Sequence, residues 1–194
     1  MQEWKEKRRT MRHYEQQAKV YHAHYLEEQN AKIEDSLNSM KSGLNEIVLD
    51  LGCGTGILFQ HINKTTKLLV GLDVSSKLLQ EARKYTKSKP NTELIRADAD
   101  NMPFPDHIFD SVFAITLLQN MPDPAKTIFE MKRVSKTEAV FVVTGLKKKF
   151  TAESFVDLLK RAQLKISTLK TDEHLKGHIA ICINAEIRRF PRAI

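Results

Sequence analysis

The side chains with the clearest chemical potential are three aspartates, each closing a short apolar segment, and three glycines behind the first of them. Val48-Leu49-Asp50-Leu51-Gly52-Cys53-Gly54-Thr55-Gly56 runs from an apolar segment straight into a glycine loop. Glycines there permit a tight turn and let backbone approach a ligand with no Cβ in the way. Free N–H groups at the start of a following helix favour an anionic group such as a carboxylate. Asp50, just before the loop, suits a cationic group better than a pyrophosphate. The spacing agrees: the pattern is GxGxG, and Ile57 stands where a dinucleotide-binding GxGxxG loop has its third glycine. Asp73 closes the next apolar segment, placed to accept both hydroxyl protons of a ribose. Asp98 closes a third, within Arg96-Ala97-Asp98-Ala99-Asp100.

These residues need elements to hold them. Residues 1–42 carry Tyr14, Val20, Tyr21, Tyr25, Ile33 and Leu37 at helical spacing, with Gly43 as a stop. From residue 46 short apolar runs alternate with amphipathic stretches. Strands are predicted over 46–51, 67–72, 92–96, 110–116 and 139–144. Between them lie helices through His61, over 76–87 behind a Ser75 cap, and from Pro124 to about Val134. Thr151 caps a last helix, and strands near 165–170 and 178–184 face each other as a hairpin. The expectation is an α/β, Rossmann-like, mostly parallel seven-stranded sheet, with helices on both faces and a C-terminal antiparallel hairpin. Ligands in such sheets sit beyond the carboxyl ends of the strands, where strand order reverses.

Composition narrows the setting. The chain has 194 residues and a net charge of +7. No apolar run approaches the ~20 residues of a membrane span, and the charged N-terminus lacks the apolar stretch of a secretory signal. Two cysteines, Cys53 and Cys182, supply neither a disulfide framework nor a zinc site. A cytoplasmic domain without metal is expected. Residues 1–125 carry 16 basic and 17 acidic side chains, whereas 126–194 carry 15 and 7. The excess positive charge thus lies in the last third, among Lys132, Arg133, Lys136, Lys147–Lys149, Lys160, Arg161, Lys165, Lys170, Arg188, Arg189 and Arg192. Such asymmetry suits an anionic partner such as RNA.

The order of these motifs resembles the class I S-adenosylmethionine (SAM)-dependent methyltransferases, in the branch that includes ubiquinone/menaquinone and wobble-uridine tRNA methyltransferases. The resemblance spans about residues 46–145. It implies a helical lid segment over 1–45 and a methyltransferase domain over 46–194. It implies that Gly52, Cys53, Gly54 and Gly56 shape a loop around the methionine portion of SAM, with Asp50 beside its ammonium group. It assigns Asp73 to the ribose, Val74 to the adenine face, and Asp98 and the Ala99 N–H to the adenine edge. Thr116, at the end of the fourth strand, joins the cofactor set, and Tyr14 and Tyr21 of the N-terminal helix lie over the pocket. Asp110 is structural, and Asp100 and Asp106 are turn carboxylates outside the site. His107, His174 and His178 are expected at the surface or in turns.

The acceptor segment departs from one common pattern. Relatives that methylate exocyclic amines carry Asn/Asp-Pro-Pro-aromatic after the fourth strand, whereas this chain reads Thr116-Leu117-Leu118-Gln119-Asn120-Met121-Pro122. That favours oxygen, carbon or ring-nitrogen acceptors, with Gln119 and Asn120 as the acceptor contacts. The expected substrate is RNA or a ribosome-associated molecule; a quinone or other small lipid, and a non-catalytic partner subunit, are the alternatives. Some relatives also use a small activator subunit that pairs with an edge strand.

Overall fold

The computed structural model describes residues 2–40, 47–62, 66–87 and 89–184, apart from the side chains of residues 2 and 17–25. The predicted stop at Gly43 and the arginines at 188, 189 and 192 lie outside the described residues, as does the Tyr21 side chain.

One long helix, α1 (Gln2–Ser39), precedes an alternating series. It runs β1 (Ile47–Leu51), α2 (Leu58–His61), β2 (Leu68–Asp73), α3 (Ser76–Thr86), β3 (Thr92–Arg96) and β4 (Phe109–Ala114). A single 3-10 turn at Leu118–Asn120 leads to α4 (Pro124–Val134), β5 (Ser135–Leu146), α5 (Ala152–Arg161), β6 (Lys165–Lys170) and β7 (Gly177–Ile183). The caps read from sequence are made. The Ser75 hydroxyl accepts from the Leu78 N–H at 3.3 Å. The Thr151 hydroxyl accepts from the Ser154 N–H at 3.2 Å, and Asp123, a cap not read from sequence, accepts from the Ala125 and Lys126 N–H groups around Pro124.

All seven strands form one sheet in the order β3-β2-β1-β4-β5-β7-β6. β1 to β5 pair in parallel, and β7 lies antiparallel to both β5 and β6. The expected fold class is therefore observed. Alternate residues of the central strands face opposite layers. Leu49, Leu51, Val112, Phe141 and Val143 pack with Ile128 and Met131 of α4 and Phe155 and Leu159 of α5. Val48, Leu69, Phe113 and Val142 pack with Ile33 of α1, Phe59 of α2 and Ala82 of α3.

Two strands differ from expectation. β4 ends at Ala114, because Thr116 adopts φ 60° and turns the chain out of the sheet. β5 starts at Ser135, four residues before the predicted strand, with Glu138 at φ 64° and its N–H on the Asn184 carbonyl. Strand order reverses between β1 and β4, so the crevice lies beyond Leu51 and Ala114.

Gly56 shows how tightly the loop is built. Its φ is 79°, and an added Cβ would lie 2.7 Å from the Phe59 ring. At Gly54, also left-handed at φ 54°, an added Cβ meets nothing within 4 Å. Gly56→Ala is therefore expected to cost about 3 kcal/mol from backbone strain and overpacking, and Gly54→Ala roughly 1 kcal/mol from backbone strain alone. Denaturant unfolding of the two variants checks the difference; equal losses would refute it.

Candidate functional site

The glycine loop is clamped to the end of β2. The N–H groups of Gly52 and Cys53 both donate to the Leu72 carbonyl, at 2.8 and 3.0 Å. One residue on, Asp73 Oδ2 accepts from the Gly54 N–H at 2.9 Å and Oδ1 from the Ser75 N–H at 2.8 Å. Burial raises the Asp73 carboxyl above the usual range, while those backbone donors act to lower it. Asp50 is also buried. Burial first, and the Asp73 charge second, push it up to about 8. Among the described residues no cation pairs with either carboxylate. Burial pushes the Cys53 thiol well above its ordinary value, with Asp50 and Asp73 adding to the shift. It packs as a small apolar side chain, as the sequence implied.

One cleft gathers most of the residues singled out from sequence. Gly52, Gly54, Asp73, Val74, Asp98, Ala99, Thr116, Asn120 and Tyr14 all line it. Asp50, Cys53 and Gly54 line an adjoining recess behind the loop. Asp110 stays structural: Oδ2 accepts from the Ile47 N–H at 3.1 Å and Oδ1 pairs with Lys136 at 2.8 Å.

Helix α1 forms the far wall, and it brings residues that sequence reading missed. The Lys7 ammonium, 8% exposed, sits 2.7 and 2.8 Å from the two Asp98 oxygens and 2.5 Å from Asp100 Oδ2. Burial alone would lower Lys7, but the hydrogen bonds to Asp100 and Asp98 outweigh it and the net shift is upward. Asp100, read as a turn carboxylate, is thus part of the wall, its Oδ1 accepting from the Thr127 hydroxyl at 2.5 Å. A second link joins the helix to the end of β4. Asn120 Nδ2 donates to the Tyr14 hydroxyl at 2.9 Å and to the Thr116 carbonyl at 3.0 Å. The Thr116 N–H donates to Thr144 Oγ1 at 2.7 Å, and its hydroxyl donates to Gln29 Oε1 at 3.0 Å. Buried Lys32 lies 3.4 Å from the same hydroxyl and 3.1 Å from Glu28. Burial lowers the Lys32 ammonium, and the Glu28 carboxylate opposes that shift.

The predicted acceptor pair separates. Asn120 faces the cleft, whereas Gln119 does not line it, and its Oε1 is buried without a hydrogen-bond partner among the described residues. His178 differs from expectation: it is 5% exposed in β7, because it pairs beside Gly145 inside the sheet and its Nε2 meets the Phe150 carbonyl at 3.1 Å. The one signal for Lys7 was its spacing, three and seven residues before Thr10 and Tyr14 on a single helix face.

Removing Lys7 leaves two adjacent, partly buried carboxylates without a cation. Lys7→Ala is expected to cost about 3 kcal/mol, a fall in melting temperature of roughly 6–12 °C, while Lys7→Arg retains most of the stability. Thermal unfolding checks this, and an unchanged midpoint for Lys7→Ala would rule out a structural ion pair.

Residues 49–143 match the family described as a methyltransferase domain. Demethylmenaquinone methyltransferase of Staphylococcus saprophyticus is 35% identical over 107 residues, which cover 54% of this chain and 45% of that protein. Phosphatidylethanolamine N-methyltransferase of Cereibacter sphaeroides is 34% identical over 104 residues, covering 50% and 49%. The chain thus spans about half the length of the curated relatives it matches. In fold it is similar to a chain of the complex between the Haloferax volcanii Trm112 methyltransferase activator and a methyltransferase. That likeness has a TM-score of 0.79 at 17% identity and covers 89% of this chain and 98% of the other. Asp50, the glycine loop, Asp73, Asp98, Thr116 and Asn120 all lie within residues 49–143, so the cleft and its recess are built largely by the stretch that matches a methyltransferase domain, with α1 added as the far wall.

Proposed function

We propose that this chain transfers the methyl group of S-adenosylmethionine to an RNA or ribosome-associated acceptor, at an oxygen, carbon or ring nitrogen. The site fits the cofactor on its own chemistry. Two buried carboxylates with no cation of their own call for a positive group, and the open space at Gly54 gives that group's carrier room against the backbone. Asp50 takes the ammonium, and Gly52, Cys53, Gly54 and Gly56 shape the loop around the methionine portion. Asp73 takes the ribose, Val74 the adenine face, and Asp98 with the Ala99 N–H the adenine edge, with Thr116 and Tyr14 as walls and Tyr21 further along α1. Lys7 does not block Asp98: its second bond to Asp100 keeps it paired when one Asp98 oxygen turns to the adenine amino group.

SAM supplies a methyl group already activated by its sulfonium. The protein's part is to hold the acceptor in line and exclude water, which the Tyr14–Asn120–Thr116 chain beside the cleft is placed to do. A general base enters only for acceptors that lose a proton as they react.

The observation that carries the RNA reading is the Lys147–Lys149 run after β5, with Lys148 and Lys149 exposed at the carboxyl end of the sheet where the cleft opens. A lipid acceptor is the second reading, favoured by the names of the curated relatives. An activator subunit is supported by the likeness to a chain of the Trm112 complex, and strand addition at the β3 or β6 edge is the means the sheet offers. Among the described residues no helix is long and apolar enough to cross a membrane.

Incubation with methyl-labelled SAM and separate RNA, ribosomal-subunit, protein and lipid fractions tests the acceptor. Label is expected in RNA or ribosomal subunits, and label in lipid alone would overturn that assignment. Asp73→Ala is expected to weaken SAM binding at least tenfold, by about 1.5–3 kcal/mol of lost hydrogen bonding to a charged group; calorimetry reads it.

Asp50 makes binding proton-linked. In the cofactor-free protein it holds its proton up to about pH 8, and an ammonium beside it favours the ionised form. Binding between about pH 5.5 and 7.5 is then expected to release close to one proton, with affinity rising as pH rises. Calorimetry in buffers of different ionisation enthalpy measures the release, and Asp50→Asn should abolish it. Release of the same size from Asp50→Asn would assign the proton elsewhere.

A further inference from the structure

We propose that the outward face of α1 is a docking surface for the phosphate backbone of RNA. This rests on the RNA reading above and moves its main contact from the last third of the chain to the first helix.

Lys5, Arg8, Arg9 and Arg12 recur at three- and four-residue intervals, are all exposed, and frame a shallow open groove with His13 and Gln16. Their face of the helix lies opposite the one that sends Lys7, Met11 and Tyr14 into the cofactor cleft. Four cations thus project to solvent along about 11 Å of helix. None makes an ion pair among the described residues. Two of the three nearby carboxylates are directed elsewhere: Glu3 pairs with Lys126 at 3.3 Å, and Glu15 meets the Ser75 hydroxyl at 3.5 Å; Glu6 is exposed at the border of the patch and leaves four cations against one carboxylate.

The basic last third behaves differently. Lys132 donates to the Ala162 carbonyl, Arg133 pairs with Glu130 and Asp106, Lys136 with Asp110, and Lys170 with Asp35. Lys160, Arg161 and Lys165 lie where α5 ends and β6 begins, at the amino end of the sheet and far from the cleft. Among the described basic residues read as an RNA surface, only Lys148 and Lys149 combine exposure with the cleft's end of the sheet. The concentrated, unneutralised charge is on α1.

Three features select RNA as the occupant. Arginines predominate, and their planar forks match phosphate oxygens. Trp4, 44% exposed, stands one helical turn before Arg8 and offers a stacking face beside the cations. A membrane-binding helix would instead need its apolar face free, and here that face is buried against the cleft. RNA lying along this ridge is held at the wall of the methyl-transfer site.

The test is fluorescence anisotropy of the full chain with a labelled single-stranded RNA of about 20 nucleotides, between roughly 50 and 300 mM salt. Arg8→Glu/Arg9→Glu/Arg12→Glu is expected to lower affinity at least tenfold and to flatten the log affinity–log salt slope by about 2, from three lost phosphate contacts. Trp4→Ala is expected to lower affinity about tenfold. SAM binding by calorimetry, unchanged in both variants, shows that the fold and cleft persist. The same variants are offered vesicles of phosphatidylglycerol and phosphatidylcholine. Unchanged RNA affinity in the triple variant, no RNA binding by the wild type, or α1-dependent binding to vesicles alone would each overturn the proposal. Methyl label entering lipid while α1 still binds RNA would instead overturn the acceptor assignment and leave the docking surface standing.

Discussion

The structure turns on two carboxylates buried side by side at the point where strand order reverses. Asp50 and Asp73 end adjacent parallel strands, and neither has a cation of its own among the described residues. Burying one carboxylate is costly, and burying a second beside it is more so. The fold tolerates the pair in two different ways. Asp73 stays anchored because two backbone N–H groups, one of them from the glycine loop, bind its oxygens. Asp50 has no such donors and answers by holding its proton. The loop's left-handed glycines follow from this arrangement, since only a chain free to take positive φ turns sharply enough to present the Gly54 N–H to Asp73. A positive group beside the pair would favour the ionised form of Asp50, which is the basis of the proposed preference for an ammonium.

Helix α1 explains how a balanced segment can be electrically two-sided. Residues 1–46 carry 8 basic and 8 acidic side chains, so a linear count shows nothing. Folded, the helix turns Lys7 onto Asp98 and Asp100, ties Glu3 to Lys126, and leaves Lys5, Arg8, Arg9 and Arg12 together on the outside. A helix face is a separate electrostatic object from the sequence that encodes it, because the 3.6-residue period sorts neighbours onto opposite sides.

That distinction marks what was legible from sequence. The strands, caps and glycine loop were readable because each rests on local rules: short apolar runs alternating with amphipathic stretches, a Ser or Thr before a helix, and glycine at a tight turn. The three aspartates were readable because each stands at, or within two residues of, the carboxyl end of a strand. Thr116 lines the cleft but lies beyond the strand expected to hold it, since a threonine at φ 60° is held there by Thr144, Gln29 and Asn120, from three separate elements. Lys7 and Asp100 were missed for the same reason: their pairing joins residues more than ninety positions apart. His178 was misjudged although its strand was expected, because its burial is set by Gly145 of β5 and by Phe150, about thirty residues away in the chain.

The same long-range contacts give α1 its functional weight. It meets the Asp98 side of the cleft through Lys7, the end of β4 through Tyr14 and Asn120, and the loop after β4 again through Gln29 and Thr116. Because these links span both the cofactor side and the acceptor side, one rigid element sets the width of both. A ligand that fixes α1 from outside lowers the ordering cost for a ligand inside, and linkage requires the effect to be equal in the other direction. On the proposed reading, two-sidedness has a physical consequence beyond adhesion: a polyanion on the outer ridge and a sulfonium cofactor beneath it, opposite in charge and never in contact, would be coupled through the helix between them.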